Sequence, residues 1–144
     1  MSATTDINML ALCLYREARG EGLDGMTAVA CVIHNRVTKW KQTWKQVIMG
    51  KNQFTSMSVP SDSQFNLVPE ISDKLWKAAL NIAEMVYTGE VDDPTKGALY
   101  YGNMPVIAAI DAKVGHAGWF VRNISGKPGE HPETVTLGRH TFFM

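Results

Sequence analysis

A chain of 144 residues with 45% hydrophobic and 19% charged residues has the composition of a folded domain, not of a disordered tail. Lys plus Arg and Asp plus Glu number 14 each, and the resulting formal charge of zero argues against a dedicated nucleic-acid binder. Cys13 and Cys31 are too few for a disulfide framework and are expected to be buried free thiols, and with no metal-ligand spacing in the sequence neither a metal nor a cofactor is expected.

The elements follow in order. Residues 1–6 lack the basic and apolar segments of a signal peptide, and no apolar run is long enough to span a bilayer. The chain as written is therefore expected to be made in a cytoplasm, as a monomer, without stable membrane insertion. Thr4, Thr5 and Asp6 predict a capped helix over 7–19, with Ile7, Leu10, Ala11, Leu14 and Ala18 as its apolar stripe. Gly20 and Gly22 end it. A second helix, from Asp24 or Gly25 to Val37, is apolar around much of its circumference and belongs in the core. A short amphipathic helix within 39–51, capped by Thr43, turns Trp44, Val47 and Ile48 inward.

Residues 52–69 are rich in Ser, Asp, Asn and Pro and read as a long irregular loop anchored by Phe54, a kind of segment that often carries function. Ile71, Leu75, Ala79, Ile82, Ala83 and Val86 predict a fourth helix, closed by Gly89. After Pro94, residues 98–101 read as a strand, and 134–137 with 140–143 as a hairpin around Gly138-Arg139. Residues 103–133 show little periodicity beyond an apolar piece at Val106 to Ile110. The sum is one α+β domain over 1–144, helices first and a small antiparallel sheet after.

Glu17 is the first candidate for chemistry. At about 100° per residue it falls at the edge of the Leu10 and Leu14 stripe, with Arg16 turned the opposite way. A carboxyl at the rim of an apolar face is partly desolvated, which raises its pKa towards the range a general acid needs. Glu21 is expected one turn further along the same face. The plain alternative is that both glutamates are solvated helix-end residues, with Arg19 as an ion-pair partner.

A wider pattern bears on that choice. The run Leu12-Cys13-Leu14-Tyr15-Arg16-Glu17-Ala18-Arg19-Gly20-Glu21-Gly22 leads into Gly25-Met26-Thr27-Ala28-Val29-Ala30 and Val32-Ile33-His34-Asn35-Arg36-Val37. Then come Gln53-Phe54-Thr55, Asp93-Pro94-Thr95-Lys96-Gly97-Ala98-Leu99-Tyr100-Tyr101 and Leu137-Gly138-Arg139-His140-Thr141-Phe142-Phe143. In this order they closely resemble the SleB-like cell-wall hydrolase family, which includes spore cortex-lytic enzymes and related phage lysins. The resemblance implies a variant of the lysozyme and lytic transglycosylase fold. It also implies cleavage of the β-1,4 bond from N-acetylmuramic acid to N-acetylglucosamine, with Glu17 as the catalytic acid. Two departures stand out: Thr95-Lys96-Gly97 replaces the family's Thr-Gly-Gly, and the stretch after Tyr101 differs.

Most glycosidases use two carboxylates, whereas the transglycosylase route implied by the resemblance needs only one. Glu17 gives a proton to the glycosidic oxygen, then takes one from the muramic acid 6-hydroxyl as a 1,6-anhydro ring closes. Thr95, Tyr100, Tyr101 and His140 are expected in supporting or substrate-binding roles, each with packing or turn chemistry as the alternative. Asn35 and Arg36 end the second helix, where Arg36 suits the helix C-terminus. A hydrolytic muramidase is the near alternative, with Glu21 or Asp62 as second carboxylate. From other classes come a non-catalytic wall-binding protein and a nucleic-acid module suggested by Arg36, Lys39, Lys41, Lys45 and Lys51 beside Trp40 and Trp44. The expected partner is the peptidoglycan glycan strand, reached as a phage endolysin with a holin-type export helper.

Overall fold

The computed structural model describes residues 2–51 and 53–144; Met1, and Asn52 at the start of the expected loop, lie outside the described residues. The chain divides into two compact units, 1–94 and 95–144.

The first unit is helical. Helix α1 spans Ala3–Ala18 and starts earlier than the sequence suggests, because Ser2 caps it by accepting from the N–H of Thr5 at 3.2 Å. Asp6 is turned inward and buried, 3.5 Å from the Tyr87 hydroxyl, so it does not act as the cap. Helix α2, Gly22–Trp40, buries Met26, Val29, Ala30, Val32 and Ile33 and ends where Lys41 takes a left-handed conformation, φ 53°. Its extension to Trp40 shortens α3 to Trp44–Ile48. Thr43 caps α3 in a reciprocal box with Gln46, and Val47 and Ile48 are buried.

A single helical turn, α4 at Thr55–Ser58, interrupts the loop. Helix α5 is Lys74–Tyr87, and its start is set by Asp73, whose Oδ1 accepts from the N–H groups of Leu75 and Trp76. Ile71 therefore falls before the helix at 86% exposure, and Leu75, in the first turn, is exposed as well, so neither belongs to the buried stripe. Ala79, Ile82, Ala83 and Val86 do form the buried face, and α5 packs against both α1 and α2. Replacing a buried leucine in such a core by alanine costs about 2–5 kcal/mol.

The second unit holds the sheet. Strands β1 (Tyr100–Gly102), β2 (Glu133–Leu137) and β3 (His140–Phe143) are antiparallel in the order β1-β3-β2. The β2–β3 hairpin turns at 138–139, with Gly138 at φ 59°. Thr134 is skipped in the register, and its hydroxyl donates instead to the Thr95 and Phe142 carbonyls at 2.7 and 3.3 Å. Between β1 and β2 the structure contains a helix the sequence reading missed. Helix α6, Met104–Val114, is capped by Asn103 and closed by Gly115 at φ 95°. A wide π-type turn follows at Val121–Ser125. Gly102 is needed where it stands, since a Cβ there would come within 2.7 Å of Ile107 and 3.2 Å of the Phe120 ring.

Candidate active site

Glu17 occupies the last turn of α1, and the neighbouring Arg16 explains its surroundings. Arg16 does not project away into solvent as its helical position suggested. Its guanidinium is half-buried and donates from Nε to the Leu67 carbonyl at 3.0 Å and from Nη1 to the Ser56 carbonyl at 2.9 Å. The planar fork thus ties two points of the loop to the end of α1, with Met57 Sδ also 3.7 Å from Nη1. Burial lowers the pKa of this guanidinium without threatening its charge.

The loop is braced from within by Asp62. Its Oδ2 accepts from the Thr55 hydroxyl at 2.5 Å and its Oδ1 from the Gln64 N–H at 2.8 Å. Those hydrogen bonds, with help from Arg16, hold the Asp62 carboxyl below its usual range, so it stays ionised near neutral pH. Arg19 adds a third tie, donating to Gln64 Oε1 at 2.7 Å and to the Tyr15 carbonyl at 2.8 Å while its charge lies over the Tyr15 ring. Arg19 therefore serves the loop and α1.

Against this frame sits the Glu17 carboxyl. The residue as a whole is exposed, yet its pKa is raised, chiefly because surrounding protein desolvates the carboxyl. The hydroxyl and N–H of Ser56 pull the other way, and the negative charge of Asp62 raises the pKa further. The exposure belongs to the residue as a whole, whereas the pKa responds to the surroundings of the carboxyl alone. Ser56 is fully buried, and its hydroxyl completes no hydrogen bond of good geometry. The arrangement supports a carboxyl that holds its proton longer than a free glutamate and can still release it.

The other expected residues lie on several elements. Glu21 is not one turn further along a continuous helix. Ala18 leaves helical geometry at φ −134°, ψ 3°, and Arg19–Glu21 form a tight 3₁₀ turn before α2. Glu21 packs its Cβ where Gly25 has none; a side chain at 25 would meet it at 2.3 Å. Asp62 is brought close enough to act on Glu17 electrostatically, with both oxygens engaged.

Thr95, Tyr100, Tyr101 and His140 lie in the second unit. Thr95 is fully buried and its hydroxyl accepts from the Ala98 N–H at 3.3 Å. Tyr101 meets His140 edge-on at 5.1 Å and stacks on Phe142 at 5.7 Å, whereas Tyr100 meets His131 at 5.1 Å. Strand alternation sends the two tyrosines to opposite faces, both half-buried.

Sequence reasoning missed Ser56, Arg16 and Gln64, whose partners lie 40 or more residues away. Arg36 is not an exposed helix end. It is buried, donates to Gln53 Oε1 at 2.9 Å, and lies over the Trp40 and Phe54 rings, which fixes Phe54 as the loop's anchor. Asn35 donates to Asp93 Oδ2 at 2.8 Å. Both cysteines are buried free thiols; burial drives Cys13 well up and pushes Cys31 up to about 12. Among the described residues no group of His, Cys, Asp and Glu is placed to hold a metal, and no helix is long and apolar enough to cross a membrane.

Comparison with known proteins adds a wider frame. The family described as Cell Wall Hydrolase matches residues 20–143, across both units and beginning just past Glu17. A spore cortex-lytic enzyme of Bacillus cereus is 39% identical over 100 residues, 68% of this chain and 34% of that protein. One from Oceanobacillus iheyensis is 31% identical over 139 residues, 95% of this chain and 41% of that protein. The chain thus spans between a third and about two-fifths of the length of these relatives. Among solved structures, the catalytic domain of the germination-specific lytic transglycosylase SleB from Bacillus anthracis superposes with a TM-score of 0.69. The identity is 29%, covering 99% of this chain and 97% of that one. The catalytic domain of Bacillus cereus SleB gives the same TM-score at 28% identity, covering 100% and 93%.

Proposed function

Because this chain belongs to the SleB-like cell wall hydrolase family, we propose that it cuts peptidoglycan glycan strands between N-acetylmuramic acid and N-acetylglucosamine, with Glu17 as the acid. The observation that carries this reading is a single carboxyl, desolvated on an otherwise exposed residue, beside an ionised Asp62 on a loop pinned to the same helix. Paired carboxyl groups with opposed environments are the usual mark of an acid held protonated at working pH.

The reaction needs no second protein carboxylate. Protonated Glu17 gives its proton to the glycosidic oxygen as the C–O bond breaks, and the substrate's N-acetyl group supports the positive charge at the anomeric carbon. Ionised Glu17 then accepts the proton of the muramic acid 6-hydroxyl, whose oxygen closes the 1,6-anhydro ring. Water is not consumed, and Glu17 ends protonated, ready for the next strand. The involvement of both Asp62 oxygens with Thr55 and Gln64 supports this route over one in which Asp62 activates water.

Mass spectrometry of muropeptides released by wild type and by Glu17→Gln tests the reading. Anhydro ends from wild type and almost none from the variant are expected. Hydrated ends alone would turn the assignment to a hydrolytic muramidase, with Asp62 the second carboxylate to replace. Full lysis by Glu17→Gln removes Glu17 from the chemistry, and binding without any released fragment makes the chain a wall-binding protein. Delivery is proposed to follow the endolysin route: a monomer made in the cytoplasm reaches the wall after a membrane-piercing partner of the holin kind opens the way. Lysis of cells expressing the chain without such a partner would refute that part.

A further inference from the structure

One side chain of the loop, Asp62, acts on Glu17 through its charge; another, Ser56, is neutral. Ser56 is fully buried, and its hydroxyl is left without a hydrogen bond of good geometry. A buried polar atom in that condition costs stability and calls for a reason. Its backbone carbonyl receives the Arg16 guanidinium, one residue before Glu17 on α1, so its place beside that carboxyl is fixed by a charged hydrogen bond of 2.9 Å.

We propose that Ser56 is a positioning residue for Glu17, its buried hydroxyl and its N–H held against the Glu17 carboxyl by the Arg16 clamp so that both protonation states of that carboxyl find a partner. A hydroxyl both donates and accepts. When Glu17 carries its proton, Ser56 Oγ accepts from the acid; when Glu17 is ionised, the hydroxyl rotates and donates, and the N–H adds a second bond. Alanine keeps the N–H but has no hydroxyl, whereas serine serves both halves of a proton shuttle by rotating its hydroxyl. The charged and titratable groups known to act on Glu17 or respond to it are Asp62 on the loop and Cys13 one turn back on α1. Asp62 is ionised and only accepts, and Cys13, kept a neutral thiol by burial, offers only a weak S–H, so neither replaces the Ser56 hydroxyl.

This inference rests on Glu17 being the proton carrier of the proposed reaction, and its test separates the two. Carbon-detected NMR titration of glutamate carboxyls follows Glu17 directly, with no substrate present. In Ser56→Ala the Glu17 midpoint should move upward by about one pH unit, the worth of a hydrogen bond to a charged group. Ser56→Thr, which keeps the hydroxyl, should restore the wild-type midpoint, and Arg16→Lys, which loses the two-carbonyl fork, should shift it upward too. The alkaline limb of the lytic pH profile should move in the same direction. If Ser56→Ala does not fold, Ser56→Cys, close in size and a weaker donor, takes its place with the same expected shift. A folded Ser56→Ala or Ser56→Cys with an unmoved Glu17 midpoint overturns the inference, whatever its melting temperature. Lysis by Glu17→Gln overturns the proposed reaction instead and leaves the titration result standing.

Discussion

Two stretches of the chain lack clear periodicity, the loop at 53–69 and the segment from 103 to 132, and the fold treats them differently. The first is polar and nearly without regular structure, yet Arg16, Arg19 and Asp62 tie it down at the Ser56 carbonyl, the Leu67 carbonyl, the Gln64 side chain and the Thr55 hydroxyl. The second contains an apolar, well-capped helix, α6 (Met104–Val114), that buries none of its residues. Val106, Ile110 and Val114 line one face of it at 51%, 56% and 60% exposure. Regular backbone and firm attachment are separate properties. Caps and propensity make a helix; only contacts with distant residues hold a segment in place, and here those contacts converge on the polar loop beside Glu17.

That contrast is open to direct attack. The largest effect should come from Glu17→Gln, which removes the proton but not the shape and should lower the lytic rate by about a thousandfold. The corresponding change in the second segment, Glu130→Gln, should leave the rate unaltered, since Glu130 is exposed and pairs with Lys127 at 4.0 Å. Equal losses in the two variants would erase the distinction. Next in size, Arg16→Ala removes charged hydrogen bonds to two carbonyls and should cost about 2–4 kcal/mol in urea unfolding, with faster proteolytic nicking between Ser56 and Leu67.

A smaller effect is expected in the pH profile. In the proposed reaction protonated Glu17 is the active form, so activity should fall as pH rises through a pKa held above the usual carboxylate range. Asp62→Asn deletes the negative charge that raises this pKa, and the alkaline limb should move towards lower pH. A limb that stays put would show that Asp62 braces the loop and does nothing electrostatic. Smallest of all, Ile110→Ser on the outer face of α6 should change unfolding free energy by no more than about 0.5 kcal/mol. A large destabilisation there would mean that α6 is as firmly held as the loop.

Much of the architecture could be read ahead of the structure, for identifiable reasons. The α5 stripe, the apolar α2, the Thr43 cap and the hairpin at Gly138-Arg139 depend on residues within a few positions of one another, and those patterns are visible in a single sequence. Helix α6 was not legible because its few polar residues, chiefly Asp111 and Lys113, mark no outer face for a reader to find. The start of α1 was misplaced because Ser2, Thr4, Thr5 and Asp6 are all competent caps, and the burial of Asp6 decided among them. At the site, Glu17 stood out through its place on the helix and the family resemblance. Ser56 did not, because its significance depends on an arginine 40 residues earlier.

Arg16 also sets an order of events during synthesis. Its two backbone partners lie 40 and 51 positions downstream, and closing loops of that span is entropically slower than winding α1 and α2. While the nascent chain is still short of Leu67, residue 17 is an ordinary solvated glutamate with ordinary acidity. The carboxyl acquires its special environment only when the polar loop docks, so the proposed proton transfer cannot begin before that step.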